Sequence, residues 1–220
     1  MSLMNWHLTP GGVQVMTDTL ATDVDGAPAK FVAKVVAIPH LDLIIGCTGY
    51  HEMILGWQHL LMSAAAGLSI DDLDEMATCV LPILWSDLFP EGAGDRLTSM
   101  RHWGWSPREE RFVGRVYRSW EGFTPLALPD EPCAGFQPKP LPEHLGTHTT
   151  FDELVEVAMG QQQAGLAEAP PTHVGGDLLV FEMSKADGEP VLTTIRKAGR
   201  FADYERDLAG VREHLGWPES

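Results

Sequence analysis

The chain has 220 residues and a mass of 24.1 kDa, and its 31 acidic and 15 basic residues give a formal net charge of −16. This charge argues against nucleic-acid binding, which depends on lysine and arginine neutralising phosphates, and against adsorption to an anionic membrane. No apolar run reaches the roughly 18 residues that a membrane helix needs, so we expect no membrane association. The length and composition are typical of one globular domain, which we expect to span residues 1–220.

The first half of the chain alternates between strand and helix patterns. Residues 12–19 alternate in polarity, and residues 31–38 and 41–48 are rich in β-branched side chains around a Pro39-His40 turn, which predicts a strand followed by a hairpin. From Tyr50 the apolar residues recur at helical spacing. After Gly67, Ser69 is a helix N-cap, and it predicts a second helix that ends near Leu88.

The second half is predicted to contain strands, one helix, a hairpin and a short helix. Residues 97–127 predict further strands, and residues 128–148 predict a long loop rich in proline and glycine. A third helix is predicted from a cap at Thr149 or Thr150. A hairpin of residues 177–183 and 190–196 and a short helix near residues 204–214 complete the chain. This order predicts an α+β fold with a layered sheet core covered by helices.

Three cysteines, Cys47, Cys79 and Cys133, are widely spaced and include no CxxC pair, so a disulfide framework or a cysteine zinc site is not expected. The first residues contain no basic or apolar stretch typical of a secretory signal. We therefore expect a cytoplasmic protein. His144 and His148 have the spacing of metal ligands on a helix, but they lie in the proline-rich loop without a clear third ligand, so no metal or cofactor is expected.

Residues 12–22 read Gly-Val-Gln-Val-Met-Thr-Asp-Thr-Leu-Ala-Thr. This stretch resembles the second strand of the proteasome β-type subunits and the related bacterial HslV peptidases, where a Gly-Val strand runs into an Asp-Thr step and an Ala-Thr turn. The turn 46–49, which opens a helix, and the helix from Phe151 that leads to Gly175-Gly176-Asp177 extend the resemblance to most of the chain. The resemblance implies a four-layer αββα sandwich of the N-terminal-nucleophile (Ntn) hydrolase class.

The resemblance also implies a set of site residues. Asp18 and Lys34, sixteen positions apart, match the acid and the lysine that support the nucleophile, and Gly49 matches the glycine whose N–H stabilises the oxyanion. Ser2 lies sixteen positions before Asp18, so removal of Met1 would place a hydroxyl and a free amine where the family has its nucleophile. A hydroxyl needs such help because it is a weak nucleophile until a base takes its proton.

Two interpretations remain open. In the first, the chain is a divergent proteasome-β/HslV-like protein without peptidase activity that acts as a non-catalytic assembly subunit, and Asp18 and Lys34 form a structural ion pair. The family's late acid and serine fall at about Pro171 and Val174, and a natural start at Met4 would remove Ser2, both of which favour this view. In the second, the chain is an amide hydrolase acting on a peptide or other amide, with an N-terminal hydroxyl as nucleophile.

Aromatic residues concentrate in the predicted middle strands, where Trp103, Trp105, Tyr117 and Trp120 lie close in sequence. Such side chains fill cores, and they are also enriched at the centres of subunit interfaces. Together with the family resemblance, they lead us to expect a homo-oligomer.

Overall fold

The computed structural model describes residues 3–23, 25–64, 67–130, 132–138, 151–166 and 173–217. Its first antiparallel sheet has the strand order β10-β1-β2-β11-β12. The bounds of these strands are Met4–Thr9 for β1, Gly12–Asp18 for β2, Cys133–Gly135 for β10, Asp177–Ser184 for β11 and Leu192–Arg200 for β12. Strand β2 is central, and it pairs with β1 on one side and with β11 on the other.

The second antiparallel sheet also has five strands, in chain order from β5 to β9. Their bounds are Val35–Ile38, Leu43–Thr48, Ser99–Ser106, Arg111–Arg118 and Leu126–Ala127. A small two-stranded sheet, β3 (Leu20–Thr22) with β4 (Pro28–Phe31), connects the first sheet to the second. The four helices are α1 (His51–Met62), α2 (Ile70–Leu88), α3 (Phe151–Leu166) and α4 (Tyr204–Leu215).

Three apolar layers hold these elements together. The two sheets face each other across a core that includes Trp6, Val15 and Phe181 from the first sheet and Ile44 and Trp103 from the second. Helices α1 and α2 cover the outer face of the second sheet, and α3 packs against the outer face of the first. The predicted α+β fold with four αββα layers is therefore confirmed.

Most of the predicted elements are present, but four strands were not predicted: β1, β10 and the two short strands β3 and β4. Strand β1 shows a period of two, because Met4, Trp6 and Leu8 enter the core between the sheets. Strand β10 lies inside the segment 128–148 that the sequence predicts as a loop, and it extends the first sheet by pairing with β1. Residues 139–148 of that segment, with His144 and His148, lie outside the described residues.

A reciprocal amide pair fixes α3 to the first sheet. The Asn5 Nδ2 donates to Gln161 Oε1 at 2.7 Å, and the Gln161 Nε2 donates to Asn5 Oδ1 at 3.1 Å. Both residues are buried, so each amide replaces the water that its partner would otherwise need. The pair sets the position of β1 relative to the outer helix.

No helix in the described ranges is long and apolar enough to span a membrane.

A buried histidine lies in the core between α1 and the second sheet. The indole Nε1 of Trp57 donates to Nε2 of His102 at 2.8 Å, so the His102 ring is neutral and carries its proton on Nδ1. That Nδ1 has no hydrogen-bond partner among the described residues. Burial lowers the pKa of His102 to about 3, because a charged ring loses the solvation by water that it has in the unfolded chain.

His102 makes the stability of the fold depend on pH. In the unfolded chain the histidine has a pKa of about 6.5 and binds a proton as the pH falls below that value, whereas the folded ring stays neutral. Because only the unfolded state gains this proton, we expect His102 to lower the free energy of unfolding by roughly 2–4 kcal/mol between pH 7 and pH 4. Urea denaturation across this range measures the effect. His102→Gln should flatten the profile, whereas His214→Gln, at an exposed position, should leave it unchanged. Equal profiles for all three proteins would contradict the assignment.

Candidate functional site

A fully buried carboxylate, Asp18, lies at the end of β2. Its Oδ1 accepts hydrogen bonds from Lys34 Nζ at 2.6 Å and from the backbone N–H of Leu3 at 2.9 Å. Its Oδ2 accepts from the backbone N–H of Gly175 at 3.2 Å. One carboxylate thus joins the segment that precedes β1, the connection between β4 and β5, and the segment that precedes β11.

Lys34 lies where the strand predicted over residues 31–38 is interrupted. The chain leaves the small two-stranded sheet after Phe31 and enters the second sheet at Val35, and in between the Lys34 side chain is only 5% exposed. A buried ammonium requires a partner, and Asp18 supplies it. Burial lowers the pKa of Lys34 and raises the pKa of Asp18, while the attraction between the two groups opposes both shifts.

Gly49 occupies the turn between β6 and α1 in a conformation that favours glycine. Its φ is +105°, in the left-handed region. A Cβ at this position would lie 2.4 Å from the carbonyl oxygen of Leu97 and 2.9 Å from Thr98 Oγ1. The turn therefore needs glycine both for its backbone conformation and for the close approach of the segment that leads into β7.

A small cavity of about 30 Å³ brings Lys34 and Gly49 together. The residues that line it are Ala21, Val32, Lys34, Cys47, Gly49, His51 and Ile54. Burial raises the pKa of the Cys47 thiol to about 11, so this cysteine is a neutral thiol near pH 7 and a poor nucleophile. The cavity thus combines a buried cation, a glycine turn and mostly apolar walls.

Of the four predicted site residues, the structure places three. Asp18 contacts Lys34, and Lys34 shares the small cavity with Gly49, whereas Ser2 lies outside the described residues. Val174 is buried and apolar, and its carbonyl accepts a hydrogen bond from Gln162 Nε2; Pro171 lies outside the described residues. No cluster of three or more metal-ligating side chains occurs in the part of the chain that the structure describes.

Sequence reasoning missed the backbone donors of this site. The N–H groups of Leu3 and Gly175 come from positions 15 and 157 residues away from Asp18, and no motif marks a backbone group as a ligand. One signal was available in Gly175-Gly176. A Cβ on Gly175 would lie 2.1 Å from an oxygen of Asp207, and Gly176 has a φ of +80°, so both positions require glycine.

Comparisons with known proteins show the fold and do not show a family. No protein-family model matches the chain, and no curated protein matches it in sequence. Among the solved structures, it is similar to Anbu (ancestral beta-subunit) from Yersinia bercovieri, with a TM-score of 0.59 over 97% of this chain and 93% of that chain. The two sequences are only 13% identical, so the likeness extends to the fold alone.

These findings correct one prediction. The assignment of the chain to the proteasome β-type and HslV family is wrong as a statement of membership, because the structural neighbour is an Anbu (ancestral beta-subunit) protein with which the chain shares only 13% of its residues. The similarity that carried it lies in the order of strands, turns and helices, which the proteasome-β-like fold of the structural neighbour shares. What remains is a four-layer αββα arrangement in which Asp18 contacts Lys34, and Lys34 and Gly49 line the same small cavity.

Asp18 should be essential for stability whether or not the site is catalytic. Asp18→Ala leaves the Lys34 ammonium buried without a counter-charge, so we expect the free energy of unfolding in urea to fall by about 3–5 kcal/mol. Adding Lys34→Met should recover part of this loss, because the orphaned charge is then removed. Asp177→Ala, which breaks a partly exposed pair with Lys197, is the matched control and should cost under about 1 kcal/mol. Similar losses for Asp18→Ala and Asp177→Ala would contradict this account.

Proposed function

We propose that the chain is an amide hydrolase whose nucleophile is the hydroxyl of its N-terminal residue, supported by Lys34 and Asp18. The observation that supports this most strongly is that Asp18 Oδ1 accepts hydrogen bonds from Lys34 Nζ and from the backbone N–H of Leu3. A buried cation is thereby held within one residue of Ser2. A structural ion pair would need no such proximity to the start of the chain.

The covalent connection to Leu3 limits where a nucleophile on Ser2 can act. The Ser2 carbonyl carbon is bonded to the Leu3 nitrogen at about 1.33 Å. Asp18 Oδ1 lies 2.9 Å from that nitrogen and 2.6 Å from Lys34 Nζ. Because both atoms contact the same oxygen, they lie close to each other. The backbone nitrogen that Leu3 shares in its peptide bond with Ser2 therefore lies near the ammonium, and this proximity supports a nucleophile on Ser2 once Met1 is removed.

The proposed reaction uses each group in turn. The free α-amine of Ser2 accepts the hydroxyl proton while Oγ attacks the carbonyl carbon of the amide, and the Lys34 ammonium stabilises the developing alkoxide. The resulting oxyanion accepts a hydrogen bond from the backbone N–H of Gly49. When the C–N bond breaks, the leaving amine takes the proton from the α-ammonium. Water then hydrolyses the acyl ester, releasing the acid and restoring the hydroxyl.

Burial prepares Lys34 for this role. The buried ammonium interacts strongly with nearby charge, and the Asp18 carboxylate opposes the fall in the pKa of Lys34 that desolvation causes, which favours the protonated form. Asp18 keeps the amine in place through a hydrogen bond of 2.6 Å and needs no direct contact with substrate. Lys34 is the group nearest the chemistry, and Asp18 positions it.

A β-lactone probe that acylates activated hydroxyls tests the proposal through the intact mass of the protein. We expect one adduct, mapped to Ser2, and none on Ser2→Ala. Lys34→Met should slow labelling by about 100-fold or more, because the alkoxide loses its cation. Lys30→Met is the matched control, since Lys30 forms an exposed pair with Glu52, and it should label at the wild-type rate.

Urea denaturation of each variant separates lost chemistry from lost folding. Labelling of the wild type no faster than that of Ser2→Ala, in a protein whose first residue is Ser2, would exclude the hydrolase.

A second candidate function is that of a non-catalytic assembly subunit. The outer face of the two-helix layer supports it, because Leu55 and Met62, seven residues apart on α1, and Ile83 on α2 are each about half exposed or more. Large apolar side chains exposed on one layer are typical of protein–protein contacts. Val174 favours the same candidate, since an apolar side chain stands where the resemblance implies a hydroxyl.

Assembly of this kind predicts a homo-oligomer in solution. Light scattering at micromolar concentration should give a multiple of 24.1 kDa, and the double variant Leu55→Glu/Met62→Glu should give the single-chain mass. Leu192→Glu, an equally exposed position on β12, is the control and should keep the wild-type mass. A wild-type protein with the mass of one chain would contradict the assembly.

A further inference from the structure

A second and larger cavity, of about 540 Å³, adjoins the Gly49 turn. Gly49 lines both this cavity and the small cavity of Lys34, so the two spaces lie on either side of one backbone turn. The side chains that line the larger cavity include Thr48, Leu97, Ser99, Arg101, Arg118 and Trp120. Two of these are cations, although the chain as a whole has a net charge of −16.

Arg101, in the middle of β7, has no acidic partner among the described residues. Its guanidinium donates to Thr48 Oγ1 at 3.3 Å, to Gln137 Oε1 at 3.1 Å and, weakly, to Met4 Sδ at 3.8 Å. A guanidinium has five N–H donors, so two remain without a protein acceptor in the described ranges. Arg115, on the neighbouring strand, instead pairs with Asp74 and Glu109, as partly buried arginines ordinarily do.

Arg118 adds a second positive group to the same cavity. It pairs with Glu121 at 3.0 Å and lies over the ring of Trp120. Burial and the nearby Arg118 lower the pKa of Arg101 to about 10, so Arg101 stays charged at neutral pH while it is repelled by its neighbour. An anion between the two guanidinium groups would relieve this repulsion.

Ser99 provides an independent sign of a ligand. The residue is only 5% exposed and lines the cavity, and its hydroxyl has no hydrogen-bond partner among the described residues. Buried hydroxyl groups are rarely left unpaired, because losing water without a replacement costs free energy. The unpaired hydroxyl and the two unpaired guanidinium N–H groups are all donors, which together suit an acceptor with several oxygen atoms.

The apolar walls indicate an organic anion. Leu97 and Trp120 line the same cavity and are 57% and 53% exposed, so a ligand that covers them would bury apolar surface. Inorganic phosphate has no apolar part to place there. A carboxylate on a short apolar stem would satisfy the donors and cover both side chains.

We propose that this cavity binds a free carboxylate of the substrate on Arg101, while the amide to be cleaved lies at Gly49. The proposal rests on the proposed hydrolase, and it names its substrate class: amides with a carboxylate a few atoms from the cleaved bond, such as N-acylated amino acids and the C-terminal residue of a peptide. Arg101 forms two parallel hydrogen bonds to the carboxylate oxygens. Arg118 adds charge at the mouth of the cavity, and Trp120 covers the stem.

Binding to a protein that cannot react tests this inference separately from hydrolysis. The full chain with Ser2→Ala is titrated by calorimetry with N-acetylleucine, with its neutral counterpart N-acetylleucinamide and with inorganic phosphate. We expect N-acetylleucine to bind about tenfold or more tightly than N-acetylleucinamide, because only the acid pairs with a guanidinium. Phosphate should bind more weakly than N-acetylleucine, since it leaves the apolar walls uncovered.

Three variants locate the site, and a fourth serves as the control. Arg101→Gln should abolish the preference for the acid, and Arg118→Gln and Ser99→Ala should each reduce it, which keeps the test valid if Arg101→Gln does not fold. Arg108→Gln removes an equal charge from an exposed pair with Asp71, outside the cavity, and should bind like the parent protein. Equal binding of acid and amide, or a preference that survives Arg101→Gln and Arg118→Gln, would overturn the proposal.

Two further outcomes separate the carboxylate site from related possibilities. Phosphate that binds more tightly than N-acetylleucine, in an Arg101-dependent way, would overturn the carboxylate assignment and indicate a phosphate ester. Arg101-dependent binding of N-acetylleucine in a protein that never labels at Ser2 would support the carboxylate site and reject the hydrolase.

In an active protein, Arg101→Gln should raise KM for the acid about tenfold and change kcat little.

Discussion

The buried carboxylate of Asp18 is the interaction on which the rest of the site depends. It binds one ammonium and two backbone N–H groups from parts of the chain 15, 16 and 157 residues distant. A carboxylate without water is stable only when such donors surround it, so the three segments are held in one arrangement. The first residues of the chain, the Lys34 segment and the glycine pair before β11 are therefore positioned together.

A cation-lined cavity in a strongly acidic protein has consequences for how a ligand would arrive. With a net charge of −16, the surface repels anions at long range, but physiological salt screens this repulsion beyond about 8 Å. Recognition of a carboxylate would then depend on local pairing with Arg101 and on apolar contact with Trp120. The negative surface would act against anions that lack such contacts, which favours selectivity over affinity.

The fold places chemical groups without deciding what they do. A TM-score of 0.59 with 13% identity describes two chains that share layers and connections while most side chains differ. Val174 illustrates the point, because an apolar residue occupies a position where the resemblance implies a hydroxyl. Asp18 and Lys34 nonetheless contact each other, Lys34 and Gly49 line one small cavity, and the neighbouring cavity contains Arg101 and Ser99, which belong to this sequence.

The sequence by itself determined the order of most elements. The spacing of apolar residues within one segment distinguishes a helix from a strand, and this spacing does not depend on the rest of the chain. It also indicated Asp18, Lys34 and Gly49, but only through a resemblance to a known family, whose site residues match these positions. Only the tertiary structure decided that residues 32–34 interrupt the strand predicted over residues 31–38, that residues 133–135 pair with β1, and that Arg101 has no acidic partner in the described ranges while Arg115 has two. These features depend on contacts between segments that are distant in sequence. A buried polar group needs a hydrogen-bonding or charged partner, and the tertiary fold decides which group lies close enough to be that partner.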